Sequence, residues 1–218
     1  MEYDAVIFDM DGVLVERTNG GVFERGVKDA FSTLGVSDPR AEDVDILRNF
    51  SALTAEKLER VGARYDIDAT ELWTARETLV SRRQLTEVAE ERKTEYDDLE
   101  ALEELSVSSG IVSNNQQATV DGIVDYYELE STLDAWYGIK PKIEDIERKK
   151  PNPAYIEEMI EHLDVTNPLY VGDKETDVIG AHNAGVDSAL IMRSNTREID
   201  FDTEPTYTLS TLHDLKDL

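Results

Sequence analysis

The sequence predicts an α/β protein: a parallel sheet with helices on both faces, interrupted near its start by an inserted all-helical block. Three observations lead there. Short apolar runs recur along the chain and end abruptly in polar residues or glycine, as buried strands do. The segments between them place apolar residues at helical spacing. After the first run, from about residue 16 to 88, helical spacing continues with no strand signal.

Tyr3 to Phe8 is the first strand, delivering Asp9-Met10-Asp11-Gly12 at its carboxyl end. Val22, Val27, Phe31 and Leu34 trace a helix that Gly35 stops, and Ser37-Asp38-Pro39 is a turn. Val44, Leu47 and Phe50 follow, then a helix after Thr54 with Leu58 and Val61, and a longer one after Thr70 with Leu72, Ala75 and Leu79. Gly110-Ile111-Val112 is a strand running into Ser113-Asn114-Asn115, and Val120, Ile123, Val124 and Tyr127 mark the next helix. Leu133 to Ile139 is a weaker strand. Pro151 and Pro153 open a helix carrying Ile156, Met159, Ile160 and Leu163. Pro168 to Val171 is a strand entering Gly172-Asp173, followed by a helix to Gly185. Ser188 to Met192 and Thr206 to Leu209 close the series. Strand–helix alternation implies right-handed crossovers, a Rossmann-like sheet whose functional residues collect at the strands' carboxyl ends. Residues 1–15 and 89–218 form the core in this reading, and 16–88 the helical insertion.

Composition narrows the function. The chain has 218 residues and a formal net charge of −26, which repels phosphate backbones and argues against nucleic acid or an anionic membrane as partner. No apolar run approaches the roughly 20 residues of a transmembrane helix and no signal peptide is evident, so a cytoplasmic location is expected. Zero cysteines exclude a disulfide scaffold and a thiolate metal site. The acid is dispersed rather than gathered in a tail, as in a solvated surface adapted to high salt, where the Debye length falls to about 3 Å at 1 M.

Four points carry the chemistry: Asp9-Met10-Asp11-Gly12-Val13-Leu14, Ser113 at a strand end, Lys150-Pro151-Asn152-Pro153, and Gly172-Asp173-Lys174-Glu175-Thr176-Asp177. In so acidic a chain an Asp-x-Asp-Gly arises by chance about 0.1 times, so the weight lies in the ordered set. Lys149 and the Lys140-Pro141 pair rival Lys150, which is preferred because prolines bracket a helix start after it. His162, His182 and His213 form no cluster.

With these motifs in this order the sequence resembles the haloacid dehalogenase superfamily of phosphohydrolases, over all of the chain outside the inserted helices. The resemblance implies a phosphatase acting through an aspartyl-phosphate. Asp9 is then the nucleophile, anionic at neutral pH. Asp11 is the acid/base, its pKa raised by acidic neighbours. Gly12 lets the backbone turn close to the phosphate, Ser113 and the amide of Asn114 donate to phosphoryl oxygens, and Lys150 neutralises them. Phosphate and carboxylate repel, so Mg²⁺ is expected between them, held by Asp9, the Asp11 carbonyl and Asp173, with Asp177 a second ligand or the holder of a ligand water. Asp11 separates this pattern from the metal-free dehalogenases. The helical insertion matches the cap of the subgroup that includes phosphoglycolate phosphatases, which closes over a small phosphorylated metabolite; Arg48, Arg76, Arg82 and Arg83 are its candidates for an anionic substrate tail. A phosphomutase of the β-phosphoglucomutase type shares every motif. A phospho-accepting, Mg²⁺-binding receiver module is about half this length and uninterrupted, and a Ca²⁺-binding protein would need an Asp-x-Asp-x-Asp-Gly loop that does not occur.

Overall fold

The computed structural model describes residues 2–193 and 202–218. Strand β1 (Ala5–Phe8) lies near the middle of a six-stranded sheet. It pairs in parallel with β2 (Ser108–Gln116) on one side and β4 (Pro168–Gly172) on the other. Beyond β2 lies β3 (Ala135–Ile139); beyond β4 lie β5 (Asp187–Ile191) and β6 (Tyr207–Leu209), giving the order β3-β2-β1-β4-β5-β6 with every pairing parallel. The chain builds outward from β1 to β3, then returns to the opposite side at β4. That reversal opens a crevice beyond the carboxyl end of β1, where α/β sheets bind ligands.

Register fixes what meets there. Phe8 lies opposite Ile111 and Val171, so Asp9, Val112 and Gly172 come level, one residue on. All four β1 residues are buried, and the pleat divides them between two faces. Val6 and Phe8 pack with Ile111, Val171 and the Val120, Ile123 and Val124 stripe of α5 (Gln117–Tyr126). Ile7 packs on the other face with Val112 and Tyr170, against Ile156 and Met159 of α6 (Ala154–Leu163) and Ala181 of α7 (Glu175–Asn183).

Between β1 and β2 come α1 (Gly20–Thr33), α2 (Ala41–Arg48), α3 (Ala55–Arg64) and α4 (Ala69–Ala89). Their starts are written in the sequence: Asn19, Thr54 and Asp68 each accept a backbone N–H of the following turn, a contact worth about 0.5–2 kcal/mol. Leu47, Leu58 and Leu72 are fully buried, each contributing about 1.5–3 kcal/mol. No helix among the described residues is long and apolar enough to cross a membrane.

One element differs from the sequence reading. Strand β2 does not stop at Val112 but runs on to Gln116, with its register against β3 shifting between Val112 and Gln116. The second motif therefore sits inside an irregular strand end, where such a shift re-aims side chains.

Candidate active site

Asp9 follows β1 directly, and its N–H donates to Val171 O at 2.8 Å. Asp173 follows β4, and Asp177 lies in the first turn of α7. One carboxylate oxygen from each of these three residues lies within 4.8 Å of the others, and all three residues are buried.

Lys150 enters this cluster from the segment before α6. Its side chain is 2% exposed. Its Nζ donates to Val112 O (2.9 Å) and Tyr170 Oη (2.5 Å) and forms ion pairs with Asp177 Oδ1 (2.7 Å) and Asp9 Oδ1 (3.1 Å). The rival Lys149 instead donates to Leu53 O and Ile146 O. Burial pushes the Asp9 carboxyl up, but the Lys150 and Lys174 ammonium groups outweigh it and hold the group below its ordinary value. Burial likewise pushes the Lys150 ammonium down, and Asp177 and Asp9 more than reverse it. Asp173 is raised to about 6, by burial first and then by Asp9 and Asp177, with Lys174 and Arg17 opposing.

Asp177 joins the cluster with both oxygens engaged: Oδ1 pairs with Lys150, and Oδ2 accepts the N–H groups of Asp173 (3.2 Å) and Lys174 (3.1 Å). Asp173 Oδ1 is buried without a hydrogen-bond partner, and the buried Asp9 Oδ1 has only its ion pair with Lys150. An unsatisfied Asp173 oxygen beside the Asp9 and Asp177 carboxylates suits a hard divalent cation. The donor set thus fits Mg²⁺, with Asp9 and Asp173 as the open ligands and Asp177 fixing the loop and the lysine.

The surroundings expected of Asp11 are corrected, and those of Gly12 and Asn114 are filled in. The Asp11 carboxylate is not among acidic neighbours: Oδ1 pairs with Lys93 and Oδ2 accepts from Asn115 Nδ2 at 2.6 Å. Asp11 therefore lies outside the carboxylate cluster of Asp9, Asp173 and Asp177. Gly12 has φ +90°, the tight turn expected of it, and its N–H donates to Val15 O (2.7 Å) to close that turn. A Cβ at Gly12 would lie 1.7 Å from Asp173 Oδ2, so the residue must be glycine to admit that carboxylate. Gly172 serves Asp177 in the same way, with a Cβ there meeting Asp177 Cβ at 2.2 Å. The Asn114 side chain clasps the lysine backbone, Oδ1 accepting from Lys150 N (2.8 Å) and Nδ2 donating to Lys150 O (3.1 Å).

Above the cluster is a cavity of about 220 Å³. Asp9, Asp11, Ser113 and Lys174 form its floor side; Phe23, Arg48, Phe50 and Arg76 come from the inserted helices. Of the four candidate arginines, Arg48 and Arg76 line it, whereas Arg82 and Arg83 border a separate cleft with Asp29. Arg76 is buried over Phe50 and Trp73, donates Nε to Leu47 O and pairs with Glu77, and its Nη2 has no partner.

Sequence reasoning missed Arg17, Lys93, Asn115 and Lys174. Arg17 Nε donates to Asp173 Oδ2 at 2.5 Å. Only Lys174 carried a signal, its place inside the fourth motif.

Other proteins resemble this chain over nearly its whole length. A pyrophosphatase PpaX from Bacillus cereus is 27% identical over 207 residues, covering 88% of this chain and 84% of its own. The solved structure of CbbY from Rhodobacter sphaeroides in complex with phosphate superposes with a TM-score of 0.70 at 17% identity, covering 98% of this chain and 96% of its own. A HAD-superfamily hydrolase of subfamily IA from Geobacter sulfurreducens gives 0.56 at 20% identity, covering 99% and 95%. The family model for haloacid dehalogenase-like hydrolases matches residues 6–191, and the chain belongs to that family.

Proposed function

We propose that the chain is a Mg²⁺-dependent phosphatase that hydrolyses small phosphorylated metabolites through an aspartyl-phosphate on Asp9. The observation that carries this reading is the setting of Asp9. It is a buried carboxylate held ionised by Lys150 and Lys174, and it lines a small cavity with arginines of the inserted helices at the other wall.

In the first step an Asp9 oxygen forms a bond to phosphorus as the bond to the leaving oxygen breaks, and Asp11 protonates that oxygen. In the second, Asp11 takes a proton from water, the water oxygen bonds to phosphorus, and the acyl–phosphate bond breaks to return Asp9 and release phosphate. Ser113 and Lys174 supply a donor and a positive charge to the phosphoryl oxygens. Lys150 keeps Asp9 in place and ionised. Mg²⁺ held by Asp9, the Asp11 carbonyl and Asp173 would neutralise charge between nucleophile and phosphate.

The cavity limits the substrate to a small molecule, and the unpartnered Arg76 Nη2 favours one with an anionic tail. Phosphoglycolate is the first candidate. Pyrophosphate is the second, favoured by the likeness to PpaX. Phosphate release from a metabolite panel containing both, with and without Mg²⁺, tests the reading. Asp9→Asn should abolish turnover with the fold intact; equal rates in the two proteins would remove Asp9 from the mechanism. Transfer between two positions of a sugar phosphate without phosphate release would identify a mutase instead.

A further inference from the structure

Lys93 lies just past α4, where the chain returns from the inserted helices to the core, and its side chain is 2% exposed. No motif contains it. Its Nζ pairs with Asp11 Oδ1 and donates to Thr18 Oγ1 at 2.9 Å. The network closes into a ring. Thr18 Oγ1 donates to Gln84 Oε1 (2.7 Å), Gln84 Nε2 donates to Asn115 Oδ1 (2.7 Å), and Asn115 Nδ2 donates to Asp11 Oδ2 (2.6 Å). Thr18 stands where the chain leaves the core and Lys93 where it returns. Gln84 is on α4, and Asp11 and Asn115 belong to the core. Tyr127 Oη donates to Lys93 O at 2.8 Å, tying the lysine backbone to the segment after α5.

We propose that Lys93 is a positioning residue for Asp11, aiming its carboxylate for the hydrolytic half of the reaction. This rests on the phosphatase reading above. Both Asp11 oxygens accept a donor, so the side chain is fixed at both ends and presented to the cavity it shares with Asp9 as a proton acceptor. A base that must take a proton from water needs that orientation. Without the ammonium, Asp11 keeps only Asn115 and gains freedom about its side-chain bonds, and water attack on the aspartyl-phosphate slows. Transfer of the phosphoryl group to Asp9 is unaffected when the leaving group needs no proton.

p-Nitrophenyl phosphate isolates the two halves, because p-nitrophenolate leaves unprotonated. With Mg²⁺ and rapid mixing, Lys93→Met should release one equivalent of p-nitrophenol per active site at the wild-type rate. It should then turn over about 100-fold more slowly, within the range of general-base contributions. KM should fall in parallel, leaving kcat/KM within about threefold, and phosphoenzyme should accumulate. Lys93→Arg should recover most of the turnover. A misfolded fraction lowers the size of the burst but cannot create one, so the readout survives partial loss of fold. If Lys93→Met loses kcat/KM together with kcat and shows no accumulation, the residue is structural and the proposal is wrong. Asp11→Asn separates the two layers: a burst there without one in Lys93→Met overturns Lys93 alone. No turnover of the ester by the wild type overturns the phosphatase reading and the proposal with it.

Discussion

Lys150→Met removes a cation that touches two members of the carboxylate cluster, and its cost follows from geometry. The ammonium is 2.7 Å from Asp177 and 3.1 Å from Asp9, with its side chain 2% exposed. At an effective dielectric of about 20, each separation corresponds to about 5–6 kcal/mol of attraction. Several kcal/mol of desolvation offset it, and deleting one partner of a buried pair typically costs about 3–5 kcal/mol, because the other charge is left uncompensated. Methionine keeps most of the volume, so packing contributes little. For a chain of this size that loss lowers Tm by about 6–20 °C. The assay is thermal denaturation with EDTA and with saturating Mg²⁺. The drop should be largest without metal at neutral pH, shrink when Mg²⁺ meets the freed carboxylates, and shrink again as acid protonates them. A metal-free variant within about 2 °C of wild type would refute the view that Lys150 holds the cluster together.

Three further outcomes follow from the same geometry. Gly12→Ala places a methyl 1.7 Å from Asp173 Oδ2 at a φ of +90°, costing about 1–2 kcal/mol in the backbone alone. It should weaken Mg²⁺ binding by at least tenfold in calorimetry, and unchanged affinity would contradict the packing argument. Asp173 is held at about 6 when folded, against 3.8 ordinarily, so the folded chain binds that proton more tightly. Its contribution to metal-free stability is full below pH 4 and is lost as pH rises through 6. Asp173→Asn should remove that part of the pH dependence of Tm, and a variant profile parallel to wild type would count against it. Arg76→Ala should raise KM for a substrate with an anionic tail by about tenfold while leaving p-nitrophenyl phosphate within about twofold; equal effects on both would remove Arg76 from tail recognition.

What was legible in the sequence is what the backbone delivers locally. Asp9 and Asp173 directly follow strands β1 and β4, and a buried apolar run stopping at a polar residue announces a strand end; Ser113 reads the same way but stands within β2, which runs on to Gln116. Parallel pairing then brings those ends together. What was illegible is the wall each side chain faces. Asp11 is two residues from Asp9, yet its carboxylate pairs with Lys93, 82 positions away. Asp177 reads from sequence as a second metal ligand or the holder of a ligand water, and only its contacts show both oxygens committed to Lys150 and the loop N–H groups. Arg17 and Asn115 have no spacing signature, because each is recruited from a segment whose pattern is set by other demands. The arginines show the same limit. Arg76 and Arg83 share a helix, and 700° of helical rotation separates them, so they point along nearly one azimuth. Only the length of the helix, about 10 Å over seven residues, puts one in the cavity and the other at Asp29.

The charge of −26 becomes intelligible once the site is drawn. Its carboxylates each meet a cation, Asp9 and Asp177 through Lys150, Asp11 through Lys93 and Asp173 through Arg17, while Lys174, Arg48 and Arg76 line the cavity. Six of the 22 basic residues are thus gathered at one crevice, and the remainder of the surface is left strongly acidic. Such a surface repels itself and repels an anionic substrate, and both effects act through solvent. The pairs inside the site act across short distances between buried or partly buried groups, which salt screens much less. Raising KCl from about 0.1 M to about 2 M takes the Debye length from about 10 Å to less than 3 Å, which should relieve both long-range penalties without loosening the catalytic pairs. Tm and kcat/KM should therefore rise together with KCl, the latter through faster substrate capture at unchanged kcat. If Tm stays flat or falls, the acid is not an adaptation to salt. If kcat falls while Tm rises, the pairs at the site are wetter than their burial implies.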